Sequence, residues 1–136
     1  MSARTNGGST PIGGPLLLYL AASLLHFVHN AEYVADYPNL PDWLGRGDVY
    51  LVWLGLAAVG VGGYALHRGG WRLAGLLLLG AYAASGFDGL LHYTRAPFAA
   101  HTAAMNFTIW FEFVAAGLLL LAVVASFAKA RGSKAT

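Results

Sequence analysis

The chain contains no cysteine, and this absence removes several kinds of chemistry. Disulfide bonds are excluded, and so are iron–sulfur clusters and soft copper(I) sites that depend on thiolate ligands. Charge is also scarce, because Lys and Arg total 8 and Asp and Glu total 6 among 136 residues. The resulting net charge of +2 is too small to indicate a nucleic-acid-binding surface.

Apolar residues, by contrast, make up 57% of the chain, and only 10% of its residues are charged. A soluble domain needs a polar shell that this composition does not supply. Four apolar stretches each reach the roughly 18 residues needed to cross a bilayer: Pro15–Val34, Val49–Leu66, Trp71–His92 and Pro97–Ala128. The sequence therefore predicts an all-α integral membrane protein, a four-helix bundle with short connections and antiparallel sequential helices.

The chain is expected to consist of a flexible N-terminal tail (residues 1–14), a transmembrane domain (residues 15–128) and a basic C-terminal tail (residues 129–136). The side that holds both tails and the second connection carries most of the basic residues: Arg4, Arg68, Arg72, Lys129, Arg131 and Lys134. The positive-inside rule therefore predicts a multi-pass protein of the plasma (inner) membrane with both termini in the cytoplasm.

The second apolar stretch carries no His, Asp or Glu, but it contains Gly60, Gly62 and Gly63. Small residues of this kind allow helices to approach closely, which predicts a role in packing or in contact with another subunit. The expected partners are therefore membrane lipids, a lipophilic small molecule, and either a second copy of the chain or a larger membrane complex.

Aromatic residues near the outer ends of the helices are expected to form an interfacial belt: Tyr33, Tyr37, Trp43, Tyr50, Tyr93 and Phe98.

Ionisable side chains are the most informative residues, because several of them fall inside apolar stretches, among them His26, His29, Glu32, Asp88, His92 and Glu112. Such groups are costly in hydrocarbon and mark function by default. At a rise of about 1.5 Å per residue, His92 and His101 lie roughly 5 Å from the outer ends of their helices, and His26 and Glu112 lie roughly 15 to 20 Å in. Imidazoles and carboxylates from three helices are thus expected at overlapping depths in the outer half of the bilayer.

Spacing then indicates a metal site. Asp88 and His92 are four residues apart, which places them on one face of a helix, and His101 follows across a short connection. Three protein ligands of this kind leave an open position for a water or a substrate. His29 is expected as a further ligand from the first helix. Neutral imidazole and carboxylate together suit zinc, copper(II) or iron.

Three other ionisable residues are predicted to support this site. Glu32 is expected to act as a further metal ligand, whereas His26 and Glu112 are predicted to act in catalysis by transferring protons. Glu112 lies close to mid-membrane, where an ionised carboxylate needs a compensating partner, and His26 lies at the same depth. The two residues are therefore expected to interact.

In residue type and order, Asp88, His92 and His101 are similar to the Asp-x-x-x-His then His copper site in a membrane subunit of the particulate methane and ammonia monooxygenases. The resemblance covers residues 88–101, and the interval between the two histidines is shorter here. What the resemblance implies is metal binding at these three residues.

Three functional classes fit these patterns. The first, which we favour because it gives Asp88 and Glu112 a role, is a non-haem metal oxidase, oxygenase or hydrolase that acts on a lipophilic substrate. The second is a b-type haem electron-transfer protein in which His29 and either His92 or His101 are the axial ligands. The third is a non-catalytic subunit of a larger complex, or a metal-free acid–base catalyst in which His26 and Glu112 pair. Bound metal, a Soret band, or the absence of both would distinguish the three classes.

Overall fold

The structure is a computed structural model that describes residues 11–132. The helices are α1 (Gly13–Glu32), α2 (Arg46–Arg68), α3 (Arg72–Ser85), α4 (His92–Arg95) and α5 (Ala103–Gly132). Short 3₁₀ helices cover Val34–Asp36, Asp88–Leu91 and Phe98–Ala100, and no β-strand forms within residues 11–132. The predicted all-α class is confirmed.

The tails fall only partly within this range. Residues 1–10 of the expected flexible tail and residues 133–136 of the expected basic tail lie outside the described residues. Helix α1 already begins at Gly13, and α5 continues to Gly132. The first and last helices therefore extend into the positions assigned to the two tails.

The third apolar stretch departs from the single continuous helix that its composition predicts. Helix α3 ends at Ser85, whose hydroxyl donates to the Tyr82 carbonyl at 2.7 Å. The next two amides, those of Gly86 and Phe87, bond three residues back instead of four, which tightens the chain into the 3₁₀ turns that precede α4. A Cβ on Gly86 would collide with Ala116 on α5, so a glycine is needed where the broken segment meets α5.

The core lies where α1, α3 and α5 meet, with α2 covering α1 and α3. Tyr19 and Tyr82 are almost completely buried there, and their ring centroids are 4.5 Å apart. Helices α2 and α3 approach most closely at Gly75, where a Cβ would collide with the backbone of His67 and lie 2.6 Å from the Gly63 carbonyl. Gly60 and Gly63 of α2 therefore pack within the chain, against α3, whereas a Cβ on Gly62 would meet nothing within 4 Å.

Polarity is inverted relative to a soluble bundle. Ser23 and Thr108 are among the buried residues, whereas Leu17 on α1 and Leu51 on α2 are each 69% exposed. Three helical segments are long and apolar enough to cross a membrane: Arg46–Arg68, Arg72–Arg95 and Ala103–Ala130. Helix α1 is not among them, because histidine and asparagine side chains in its second half lower its hydropathy.

Candidate functional site

A buried polar contact joins α1 to α5. His26 is 3% exposed and Glu112 is 2% exposed, and the imidazole Nε2 lies 3.6 Å from the carboxyl Oε2. This separation is longer than a normal hydrogen bond but within the range of an ion pair. Gly89 adjoins the same carboxyl group, since a Cβ there would lie 3.5 Å from Oε2. The predicted proximity of His26 and Glu112 is confirmed.

The hydrogen bonds of Thr108 determine the tautomer of the His26 imidazole. The Thr108 hydroxyl donates to the Met105 carbonyl at 3.0 Å, so it accepts at 3.2 Å from Nδ1–H of His26. Nε2 of the neutral imidazole then carries a lone pair and points toward the Glu112 carboxyl. The pair is thus arranged for a proton to move between the carboxyl oxygen and Nε2.

His92 occupies the next position outward. Its ring centroid is 5.6 Å from that of His26, 6.1 Å from that of His101 and 5.0 Å from that of Tyr37. The Asn30 amide donates to Nε2 of His92 at 3.4 Å, while Oδ1 of Asn30 is buried without a partner among residues 11–132. Three imidazoles therefore follow one another toward Glu112, and we call them the histidine row: His101, His92 and His26.

His101 lies at the outer end of this row. It follows the third 3₁₀ helix directly, and its backbone is extended. Its Nδ1–H donates to the Pro97 carbonyl at 3.1 Å, so Nε2 carries the lone pair. That Nε2 is buried and has no hydrogen-bond partner within the described range. Asn106 fixes the backbone here by donating to the carbonyls of His101 and Phe98.

Two predicted ligands lie apart from the histidine row. Asp88 is exposed and begins a 3₁₀ helix, whereas His92 is buried, so the two do not share a face as the four-residue spacing predicted. A 3₁₀ helix has three residues per turn, so the residue four positions after Asp88 is rotated by about 120° away from it. Glu32 lies at the surface, where it forms an ion pair with Arg46 at 2.7 Å and accepts a hydrogen bond from Tyr50 at 2.6 Å.

His29 is separated from the row by Tyr37, to whose hydroxyl its Nδ1 is hydrogen-bonded at 2.9 Å. Within residues 11–132, no three His, Asp or Glu side chains form a group that could hold one metal ion. The described residues therefore do not bring the predicted metal ligands together, and the metal site stays a prediction. The ligands predicted from the sequence are His29, Asp88, His92, His101 and Glu32.

Tyr37 was expected in the interfacial belt, but it is 3% exposed and packs between His29 and His92. Burial raises the pKa of Tyr37 to about 12, so its hydroxyl stays protonated at neutral pH. The same residue lines a cavity of about 500 Å³ in the connection between α1 and α2. Trp43 at 77% exposure and Tyr33 at 52% fit the expected belt. The sequence carries no local signal that separates Tyr37 from these aromatics.

Comparisons with protein-family models, with curated proteins and with solved structures found no match to this chain.

Proposed function

We propose that the chain is an integral membrane protein whose four helical segments cross the bilayer as antiparallel neighbours. Three segments have the length and hydropathy to do so. Helix α1 has 20 residues, about 30 Å of helix, and its exposed side chains include Leu17, Leu18, Leu24 and Leu25. Its polar groups contact α5 and α4 instead, so the surface it presents outward is apolar.

The excess of basic residues at the end shared by both termini supports a cytoplasmic location for that end, and the membrane is proposed to be the plasma (inner) membrane. The connection between α1 and α2, which contains Asn39, is then external. In the full-length chain, an Asn39→Cys variant is expected to react with a membrane-impermeant maleimide in intact cells, whereas a cysteine at Gly70 is expected to react only after lysis. The reverse pattern would contradict this orientation.

The proposed activity is proton transfer by Glu112 and His26, in an acid–base catalyst that acts on a lipophilic molecule. The observation that carries this proposal is the isolation of the pair. Among the residues described, Glu112 forms no ion pair with an arginine or lysine, and its carboxyl lies 3.6 Å from the imidazole of His26. An ionised carboxylate near mid-membrane costs at least about 2.5 kcal/mol. The pair is therefore either a carboxylic acid with a neutral imidazole or a carboxylate with an imidazolium. The two states differ by the transfer of one proton from the carboxyl oxygen to the imidazole.

Two cavities suggest how the site is reached. The cavity of about 500 Å³ is lined by Tyr37, whose ring packs against His92 in the middle of the histidine row. A second, largely apolar groove of about 620 Å³ runs along α5 past Phe107 and Trp110, and it includes Asn106, which holds the His101 backbone. A lipophilic molecule in this groove would have its polar end near His101, and protons would reach it along His92 and His26.

The first test is to characterise the purified full-length protein. Elemental analysis and an absorption spectrum are expected to show no stoichiometric transition metal and no Soret band. Difference infrared spectroscopy is expected to show a buried carboxyl group whose signal changes with pH. A stoichiometric metal that is lost together with activity on chelation would contradict a metal-free acid–base mechanism.

A metal centre is the second candidate, because Nε2 of His101 is buried and unpaired and could act as a ligand beside His92. In this case His92→Ala and His101→Ala are expected to lower the occupancy of copper, zinc or iron at least tenfold, because a site of few ligands loses both a bond and its geometry. Asp88→Asn and Trp43→Phe are expected to leave occupancy unchanged, since both side chains are exposed. Full occupancy in both histidine variants, measured by elemental analysis, would rule out this centre.

A further inference from the structure

A second polar cavity lies at the opposite end of the molecule from the histidine row. It has a volume of about 590 Å³ and lies between the end of α2, the start of α3 and the first turn of α1. Tyr64, His67, Arg68 and Arg72 contribute its polar side chains. Neither the acid–base proposal nor the metal proposal uses any of these residues.

The two arginines of this cavity have no acidic partner among residues 11–132. Both are exposed, and neither forms an ion pair or a side-chain hydrogen bond within residues 11–132. The six acidic residues of the chain lie at positions 32, 36, 42, 48, 88 and 112. Asp48 is in the first turn of α2 and Arg68 is its last residue, so about 30 Å of helix separates them. Both guanidinium groups are therefore free to bind an external anion.

His67 provides an independent indication of a ligand. Its Nδ1 is buried, yet it has no hydrogen-bond partner within the described residues. The Tyr64 hydroxyl closes the cavity against α1, since a Cβ on Gly13 would lie 3.1 Å from it. The cavity thus combines two guanidinium groups, an imidazole nitrogen and a phenol, which are groups suited to the oxygen atoms of an anion.

We propose that this cavity binds a phosphoryl group, as carried by the headgroup of an anionic phospholipid. Each guanidinium can contact two phosphate oxygens at once through its planar fork. The location supports a lipid source, because in the proposed orientation the cavity lies at the cytoplasmic ends of three helices, where anionic headgroups are found. This assignment of source depends on the membrane orientation proposed above, whereas phosphoryl binding itself does not.

The test measures binding by the full-length protein in detergent. Native mass spectrometry would count bound phosphatidylglycerol and bound phosphatidylcholine, and calorimetry would measure binding of inorganic phosphate. The test variant is R68Q/R72Q. The matched control is R46Q/R95Q, which removes the same charge but changes arginines that already have partners, Glu32 and the Asn39 carbonyl. A third variant, R68K/R72K, keeps the charge and removes the guanidinium forks.

The wild type and R46Q/R95Q are expected to bind phosphatidylglycerol in preference to phosphatidylcholine. R68Q/R72Q is expected to bind phosphatidylglycerol at least tenfold more weakly, because charged hydrogen bonds are lost, and R68K/R72K is expected to be intermediate. If inorganic phosphate binds as tightly as the lipid and shows the same dependence on the arginines, the phosphoryl site stands and its source is a soluble anion. Equal binding by R68Q/R72Q and R46Q/R95Q would overturn the proposal, as would wild-type binding by R68K/R72K. The infrared signal of Glu112 does not depend on this cavity, so the two proposals fail separately.

Discussion

Glu112→Gln is expected to abolish the pH-dependent infrared signal of the buried carboxyl group, together with proton transfer, while the helical content and the fold are preserved. Glutamine has nearly the same shape and can still hydrogen-bond to His26, but it cannot exchange a proton in the neutral range. General acid–base catalysis typically contributes about 100-fold to 10,000-fold in rate, so a loss of that size is expected once a substrate is available.

Glu32→Gln is the matched control for this experiment, because its carboxylate lies at the surface beside Arg46. It is expected to keep the buried carboxyl signal. His26→Gln provides a second control, since it retains a hydrogen-bonding side chain but removes the proton acceptor at Nε2. If the carboxyl signal persists unchanged in Glu112→Gln, the titrating group lies elsewhere and the proposed proton-transfer pair is wrong.

Gly75→Ala is expected to lower the free energy of unfolding by about 3 kcal/mol, the upper part of the usual range for overpacking. The added methyl group would meet the backbone of His67 and lie 2.6 Å from the Gly63 carbonyl. Backbone atoms cannot move aside as the end of a flexible side chain can, so α2 and α3 must separate. Thermal unfolding of the purified protein in detergent, followed by circular dichroism, measures the effect.

Gly62→Ala tests whether this loss comes from the helix contact. Gly62 lies in the same contact region of α2, but nothing is found within 4 Å of a Cβ built there. Alanine is the better helix former, so this variant is expected to gain roughly 0.5 to 1 kcal/mol. The two substitutions add the same methyl group and should change stability in opposite directions. A similar loss in both variants would contradict the close approach at Gly75.

The positions of the helices could be predicted because apolar stretches of spanning length are a local property of the sequence. The break after Ser85 could not, since Gly86 and Phe87 continue an apolar run and only contact with α5 requires the glycine. The extra residues of α5 at its C-terminal end were equally hidden, because basic residues are compatible with both a helix end and a tail.

Within the candidate site, depth was more informative than spacing. Counting residues from the outer helix ends placed His26 and Glu112 at one level, and the structure brings them together. Asp88 lies at a suitable depth, but its side chain does not share a face with His92. Residues four positions apart share a face in an α-helix, whereas Asp88 begins a 3₁₀ helix. Tyr37 contacts His92 because the connection after α1 folds back against the bundle. No sequence pattern near Tyr37 predicts such a long-range contact.

The partners of α1 have a consequence for the order in which the protein can be assembled. The residue that accepts a hydrogen bond from His26 lies 82 positions later in the chain, on α5, which the ribosome makes after α1, α2 and α3. Helices α2 and α3, in contrast, can pack as soon as their short connection has been synthesised. His26 of the nascent α1 therefore lacks its α5 partners throughout the synthesis of α2 and α3. We expect α1 to remain beside the insertion machinery, in contact with water, until α5 emerges and the two helices enter the lipid together.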